Sequence, residues 1–418
     1  MSINGALRTS VSGMNAQGNR LSAVSDNIAN QSTTGYKKAD VEFSTLVLDG
    51  GGTDYSSGSV MSQTRRNVSA QGAIVGTSSA TDIAIQGNGF FVVQDPNGGQ
   101  AYTRAGAFVQ RYDANAQATY LVNSAGYRLT GQPVGGGGVE TINLPVGKIM
   151  EPKATDTISL ENLQLPLTAT GSPNAFDLND EATYYKKTSV TTFDGLGTAR
   201  VVDMYVVKTE DLPAPAAPLH EWKLLFYDNS VNPSAKLGET PLKFNPADGK
   251  PDNVQKAVAD LELTNLPGRP AGETITVKFG NVTEYDAKYL ADAQRNGNPA
   301  SPVTDFRVGS DGTISAILES GDTVDIYRAQ MAKFKSADQL ETMTGNVFRP
   351  TKSSGEPQFG FAGENGFGTT QSGALEQSNV DLATELTFMI ESQRGYSANS
   401  KSFQTGAEML DVLINLKR

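Results

Sequence analysis

Alternating oxygen-bearing side chains form one segment whose pattern could hold a cation. Asp113, Asn115 and Gln117 are spaced like the first ligands of a calcium loop. Such a loop needs a glycine at its sixth position, which is absent here, and a carboxylate at its twelfth, which is Ser124. The pattern therefore predicts a solvated loop, and we expect no metal.

Two glycine-rich segments could be confused with nucleotide-binding motifs. Gly87, Asn88 and Gly89 resemble part of a dinucleotide fingerprint, but Phe90–Val93 follows and predicts a strand where the fingerprint requires a helix. Gly135–Gly138 is a glycine run without the Lys-Ser or Lys-Thr of a phosphate-binding loop. We expect a bend between strands, a linker, and no cofactor.

Side chains suited to catalysis are scarce. The chain has no cysteine and a single histidine, His220, which argues against thiolate and histidine-based catalysis. Strand alternation puts His220 and Trp222 on one face, where packing is expected. The carboxylate pairs Asp180–Glu181 and Glu210–Asp211 would suit a glycosidase only at a defined spatial separation. The sequence predicts that the protein is not an enzyme, with a secreted β-rich hydrolase as an alternative of another class.

Composition indicates a multidomain chain whose partners are other proteins. Its 418 residues exceed what one hydrophobic core usually holds, so two to three domains are expected. A net charge of −11 disfavours nucleic acid and anionic membrane surfaces. Neither a Sec-type signal nor a run long enough for membrane insertion is present, which predicts a cytosolic protein or one exported without cleavage.

Apolar residues near both ends of the chain recur at the seven-residue spacing of a helix seam. The N-terminal stripe consists of Leu7, Met14, Leu21 and Ile28; the C-terminal stripe consists of Leu382, Leu386, Met389, Tyr396, Phe403, Leu410 and Ile414. The second stripe predicts a helix from about Leu382 to Leu416. We expect the stripes to pack on each other or on copies of themselves, the alternative being an ordinary core helix at each end.

The residues between the two stripes are predicted to be mainly β-strand, in short runs bounded by turn residues. The predicted strands are Asp82–Gln94, Tyr120–Leu129, Val201–Lys208, Glu221–Tyr227, Thr274–Phe279, Phe306–Val308 and Ile314–Leu318. One short helix is expected at Asn253–Asp260.

Breaks in composition suggest four parts. The predicted parts are a terminal helical domain (1–30 and 372–418), a connector (31–72 and 354–371), an inner β domain (73–147 and 301–353) and an inserted outer β domain (148–300). The fold class that follows is mainly β with terminal α-helices, in a radial multidomain subunit. In it the terminal helices pair as a coiled-coil-like inner domain, and the outer of two β-barrel or sandwich-like domains is inserted in the inner one.

Three segments resemble the flagellar rod, hook and hook-associated protein family. The first contains Ser12, Gly13, Asn15, Asn27, Ile28, Ala29, Asn30, Thr33, Thr34, Gly35, Tyr36 and Lys37; the second contains Gly87, Asn88, Gly89, Phe90 and Phe91; the third contains Ser378, Asn379 and Val380. They occur in the order found in that family. Chain length favours a hook subunit, and a distal rod or other axial protein is the alternative.

The resemblance implies a structural role outside the cell. Such a subunit self-assembles into a curved, flexible tube that acts as a universal joint and passes motor torque to the filament, with its terminal helices lining the channel. Implied partners are copies of itself, the distal rod protein, the hook cap protein, the hook-filament junction protein and the flagellar type III export apparatus. Export without a cleaved signal peptide into the basal body and hook is expected.

Overall fold

The computed structural model describes residues 3–45, 59–169, 176–209, 220–231, 234–245, 248–251, 260–264, 266, 269 and 273–416. Two long helices, α1 (Ile3–Ala29) and α2 (Leu382–Leu416), pack against each other. Between them the described residues are mainly β-strand. The predicted fold class, mainly β with paired terminal helices, is confirmed.

The strands are short, as their frequent turn residues require. Before Gly147 they are β1 (Ala39–Thr45), β2 (Val60–Arg66), β3 (Ile74–Gly76), β4 (Ile83–Gln86), β5 (Phe90–Gln94), β6 (Gln100–Thr103), β7 (Val109–Asp113), β8 (Ala118–Val122), β9 (Arg128–Pro133), β10 (Glu140–Thr141) and β11 (Asn143–Leu144). Next come β12 (Ile149–Met150), β13 (Thr157–Pro166), β14 (Lys186–Phe193), β15 (Ala199–Lys208), β16 (His220–Asp228), β17 (Ala235–Phe244), β18 (Leu261–Leu263), β19 (Ile275–Tyr285) and β20 (Leu290–Arg295). The remainder are β21 (Ser301–Val308), β22 (Thr313–Leu318), β23 (Thr323–Ala329), β24 (Met331–Lys333), β25 (Glu341–Met343), β26 (Val347–Arg349), β27 (Gln358–Gly360), β28 (Thr369–Ser372) and β29 (Ala374–Glu376). Short 3-10 helices span Glu181–Thr183 and Ala337–Gln339.

The chain forms two compact units. Unit 1 comprises Met1–Val146, Asp305–Ile317 and Asp325–Arg418, and unit 2 comprises Gly147–Thr304 and Leu318–Val324. The finer division predicted from the sequence, which separates helices, connector and inner β domain, stays a prediction.

Unit 2 is built on two four-stranded sheets whose apolar faces share one core. Their strand orders are β18-β19-β13-β20 and β14-β15-β16-β17, and only β13 and β19 run parallel among the described pairs of these sheets. Every second residue of β15 and β16 enters this core, as strand alternation dictates. Met204, Val206, Trp222 and Leu224 are four of its buried residues.

Unit 1 contains the two helices and a set of antiparallel strands centred on β5. This strand pairs with β6, β9 and β24. Phe90 meets Phe334 and Phe348 edge to face, each at 5.9 Å between ring centroids, a favoured aromatic geometry. β3 pairs with β29, and β4 pairs with β28. The two strands that precede α2 are therefore hydrogen-bonded to strands that follow β2 in the chain.

One predicted strand is interrupted by a turn, and one predicted helix falls mostly outside the described residues. The predicted strand Tyr120–Leu129 is divided into β8 and β9, because the Asn123 carboxamide oxygen accepts from the amides of Ala125 and Tyr127 and closes a turn. Gly126 in that turn has a φ of +87°, which suits glycine. The predicted helix Asn253–Asp260 lies outside the described residues except for its last position.

Candidate assembly surface

The apolar stripe predicted on α2 is largely uncovered. Leu382, Leu386, Tyr396, Phe403 and Ile414 are 41%, 45%, 47%, 37% and 63% exposed. Met389 and Leu410 are half-buried, and Ile390, Met409 and Val412 add further exposed apolar side chains. A run of large apolar residues along one helix usually faces another protein surface. Within the described part of this chain, no surface covers it.

A different stripe of α2 faces α1. The helices are antiparallel: Gly406 lies against Leu7, Asn399 against Gly13, and Gly395 against Gln17. A Cβ placed on Gly406 would stand 2.8 Å from a Leu7 methyl carbon, and one on Gly13 would stand 2.8 Å from the Asn399 carboxamide. These glycines allow the two helix backbones to approach closely. The α2 residues nearest α1 in these contacts are therefore small or polar, in contrast to the apolar residues of the heptad stripe.

The α1 stripe is only partly covered. Leu7, Met14, Leu21 and Ile28 are all half-buried, whereas the fully buried positions of α1 are smaller side chains. Those buried positions are Ser10, Gly13, Ala16, Ala23, Val24 and Asn27. Leu7 and Phe403 border one shallow groove of about 420 Å³, which also includes Val11. One residue of each predicted stripe, Leu7 and Phe403, therefore lines this groove.

Ser12 joins α1 to the hairpin of β1 and β2. Its hydroxyl donates to the carbonyl of Val60 and accepts from the amide of Val60, both at 2.7 Å. Two other residues of the first motif, Asn15 and Ala29, are exposed. Asn30 is half-buried, and its carboxamide donates to the Asp26 carbonyl. Ser12 thus fixes the hairpin to α1, while Asn15 and Ala29 remain on the surface.

Asn27 is the polar centre of the helix pair and is 1% exposed. Its amide group donates to the Ala39 carbonyl at 2.9 Å and to the Glu385 carboxylate at 3.0 Å. Its oxygen accepts from the Ala39 amide at 2.9 Å and from the Tyr36 hydroxyl at 3.2 Å. One side chain therefore ties α1, α2 and β1 together. The burial of Glu385 was not predicted, because in the sequence it reads as a helix N-terminal acid.

Lys37 is held in a buried ionic cluster. Its ammonium donates to the Glu376 carboxylate at 2.6 Å and to the Ala70 carbonyl at 2.5 Å. The second Glu376 oxygen accepts from Arg104 at 3.3 Å, and the Gly72 amide donates to the first at 2.9 Å. Burial lowers the pKa of Lys37, and the nearby carboxylate opposes that shift. Glu376 and Arg104 were not among the predicted site residues, because nothing local in the sequence links three charges so far apart.

The end of the first motif, just before β1, contacts the segment that precedes α2. Gly35 has a φ of +68° and donates its amide to the Glu376 carbonyl at 2.8 Å. Asn379 accepts from the Lys38 amide at 2.8 Å and donates to the carbonyls of Asn67 and Ala70. Thr33 donates to the Asn30 oxygen, the Thr34 carbonyl accepts from Asn346, and the Ser378 hydroxyl accepts from the Val380 amide.

The second motif forms the turn between β4 and β5. Gly87 and Gly89 have φ values of +103° and +130°, and a Cβ on Gly89 would stand 2.5 Å from the Met331 methyl group. The Asn88 carbonyl accepts from the Gly368 amide at 2.7 Å. Phe90 and Phe91 then enter the unit 1 core. The motif thus shapes a turn, and its glycines serve conformation and close packing.

Side chains that the sequence offered as metal ligands or catalytic groups form hydrogen bonds and ion pairs within the subunit. Asp113 accepts from the amides of Asn115 and Ala116, which lowers its pKa, and pairs with Arg128 at 2.6 Å. His220 and Trp222 both bond to the carboxylate of Glu284, at 2.7 and 2.9 Å. Among the described residues no three His, Cys, Asp or Glu side chains are grouped to hold a metal.

Of the two carboxylate pairs considered for a glycosidase, one lies in the described part of the chain. Asp180 caps the 3-10 helix that begins at Glu181, and the pair Glu210–Asp211 lies outside the described residues.

Neither described helix contains a stretch long and apolar enough to cross a membrane.

These features define a class of protein: a β-rich structural subunit with paired terminal helices and an apolar helix face left open. Four family models match the chain: "Flagella basal body rod protein" at 7–37, "Flagellar hook protein FlgE/F/G D1 domain" at 84–163, "Flagellar basal body protein FlaE D2 domain" at 162–297, and "Flagellar basal body rod FlgEFG protein C-terminal" at 371–416.

Curated relatives match over the full length. The flagellar hook protein FlgE of Brucella abortus is 40% identical over 426 residues, covering 100% of both chains. That of Escherichia coli K12 is 31% identical over 424 residues, covering 99% of this chain and 100% of its own. The crystal structure of Helicobacter pylori FlgE2 is 14% identical, with a TM-score of 0.45 over 72% of this chain and 100% of that one.

The chain belongs to the flagellar hook protein FlgE family. It is a structural subunit of the hook, an extracellular part of the flagellum, and is not an enzyme. The predicted function is thereby confirmed over its rod-protein and hydrolase alternatives. Membership also implies self-assembly in the flagellum.

Proposed function

We propose that copies of this chain join into the hook tube through the apolar stripe of α2, with the partly covered stripe of α1 contributing. One observation carries this proposal: five of the seven α2 stripe residues are more than one-third exposed. The side of α2 that faces α1 is already occupied by close glycine and asparagine contacts. The apolar side is therefore free to meet another copy.

Burying this stripe between copies would contribute favourable free energy to assembly. Fully burying one Leu, Ile or Phe side chain contributes roughly 1.5–3 kcal/mol. Half-exposed side chains gain part of that, and several along one helix add up to several kcal/mol per contact. Heptad spacing lets such residues interlock with a second helix as knobs into holes.

The same arrangement suits a tube that bends. We propose that the hook formed by this chain transmits motor torque as a universal joint, which requires contacts that can shift between states of similar energy. Polar and hydrated contacts meet this need better than one large dry interface. We expect contacts of this kind between copies, beside the apolar stripe, and they would let the tube flex.

Partners and export complete the proposal. We expect contacts with the distal rod protein, the hook cap protein and the hook-filament junction protein at the ends of the tube, and delivery by the flagellar type III export apparatus. A chain without cysteine can pass through a channel unfolded without a disulfide to break. Helices whose apolar stripes are uncovered in the single chain would gain further stability when copies meet.

Replacing stripe residues by aspartate tests the proposal. The double variant Leu386→Asp, Tyr396→Asp should leave the subunit folded, because both side chains are nearly half exposed. It should not polymerise, since charges would enter an apolar contact. The matched control is Thr387→Asp, Ala398→Asp, two exposed positions on another side of α2. Sedimentation and electron microscopy would measure polymer, and normal tubes from the stripe variant would refute the proposal.

A further inference from the structure

Unit 1 contains a polar groove of about 890 Å³ that the proposed helix contacts do not use. It lies between β2, the start of β5 and the segment 333–342. Its charged lining residues are the cations Arg65, Arg66, Arg104, Lys333 and Lys335 and the carboxylates Glu42 and Asp338. We call it the basic groove, since cations outnumber carboxylates in a chain whose net charge is −11.

The two carboxylates do not neutralise the groove. Both of them pair with the same cation, Arg65, at 3.5 Å for Glu42 and 3.3 Å for Asp338. Arg66 donates instead to the Lys37 carbonyl and Lys333 to the Asn365 carbonyl, which are uncharged acceptors. Arg104 pairs with Glu376, which does not line the groove. Exposed Lys335 has no ion-pair partner among the described residues. Four of the five groove cations thus lack a carboxylate from the groove itself.

Arg104 adds an unsatisfied donor to this lining. It is 2% exposed, and its Nε has no hydrogen-bond acceptor. Its one charged partner, Glu376, is shared with Lys37, so the buried cluster has two cations for one carboxylate. A buried donor without an acceptor is unfavourable. A carboxylate brought into the groove would balance the excess positive charge of this cluster.

We infer that the basic groove binds acidic side chains of a second copy of this chain. The inference rests on the proposed self-assembly, which brings copies to high local concentration. A second copy suits the groove because the rest of this chain is strongly acidic, so its surface is complementary in charge. Arginine forks bind carboxylates through two parallel hydrogen bonds, which would set the register between copies. The apolar stripe then supplies affinity and the groove supplies specificity and speed.

Charge reversal in the groove tests this inference. Lys333→Glu with Lys335→Glu should slow polymerisation about tenfold or more at low salt, within the range by which electrostatic steering raises association rates. Wild-type polymerisation should slow as sodium chloride is raised, since salt screens the attraction, and the variant should lose that dependence. Lys335→Glu alone, at an exposed position, is a second variant if the double one unfolds. Arg111→Glu with Arg307→Glu, exposed in unit 1 outside the groove, is the charge-matched control.

Carbodiimide cross-linking gives an independent readout. In polymers made from mixed isotope-labelled and unlabelled subunits, the ammonium of Lys335 should form an amide with a carboxylate of another copy, identified by mass spectrometry. If the groove variants polymerise at the wild-type rate with the wild-type salt dependence, the inference is wrong while the α2 stripe proposal stands. If unpolymerised subunits bind inorganic phosphate through Lys335 and polymer shows no such cross-link, the groove is a small-anion site and the inference is also wrong.

Discussion

At the scale of single residues, two buried polar side chains hold together parts of the chain that are far apart in sequence. Asn27 satisfies all four of its hydrogen bonds, and Glu376 binds two cations and a backbone amide. Polar groups that are fully bonded in a buried site specify one arrangement of their surroundings. The motif residues Asn27 and Lys37 therefore bond to groups of their own subunit and not to another protein.

Glu376→Gln should strongly destabilise unit 1. The change keeps the shape but leaves Lys37 and Arg104 as buried cations without a counter-charge, and breaking a buried pair this way typically costs about 3–5 kcal/mol. Hydrogen exchange of β3 and β29 would measure the loss. Glu391→Gln is the control, because its pair with Arg20 at 3.4 Å is exposed and contributes about 0–1 kcal/mol.

Fluorescence provides an internal check on that experiment. The sole tryptophan, Trp222, lies in the unit 2 core, so its emission reports unit 2. We expect its unfolding transition to be unchanged by Glu376→Gln. Equal exchange rates in β3 and β29 for Glu376→Gln and Glu391→Gln would contradict a stabilising role for the ionic cluster.

At the scale of elements, Gly13 and Gly18 of α1 differ in whether a larger side chain would fit. A Cβ on Gly13 would meet the Asn399 side chain at 2.8 Å, whereas one on Gly18 has nothing within 4 Å. Gly18→Ala should raise helix stability by up to about 1 kcal/mol, the propensity difference between the two residues. Gly13→Ala gains the same propensity but crowds α2, with an overpacking cost of about 1–3 kcal/mol.

The expected result is a higher melting temperature of the helical signal for Gly18→Ala and a lower one for Gly13→Ala. Circular dichroism on the two single variants measures it. If both alanines stabilise equally, the close approach of α1 and α2 at Gly13 is not maintained in solution.

At the scale of the whole molecule, α2 is separable from the strands that precede it, but only from a defined point. Truncation after Asp381 keeps β28, β29 and Glu376, so we expect both units to retain their strands while assembly is lost. Truncation after Gln371 also removes β29 and Glu376, and it should expose β3 to hydrogen exchange as well. The comparison is made by exchange and sedimentation, and tubes formed by the chain ending at Asp381 would rule out assembly through α2.

Local sequence pattern was enough for the terminal helices and for part of the strands, while others, such as β13, β14 and β17, were not predicted. Heptad spacing predicted the limits of α2 at Leu382 and Leu416, and short runs bounded by turn residues predicted strands such as β15 and β16. Where a side chain closed a turn inside a predicted strand, as Asn123 does, pattern alone failed. The motifs also identified the family, because that information lies in residue types and their order.

Sequence by itself therefore determined the class of protein, the two terminal helices and the absence of cysteine chemistry. Only the tertiary structure decided which side of α2 meets α1, because glycines allow a closer approach than the apolar stripe would. Only the structure joined Lys37 to Glu376 across 339 positions, and left five cations in one groove of an acidic chain. Contacts between distant segments depend on how the chain folds back on itself, and a one-dimensional pattern does not record that.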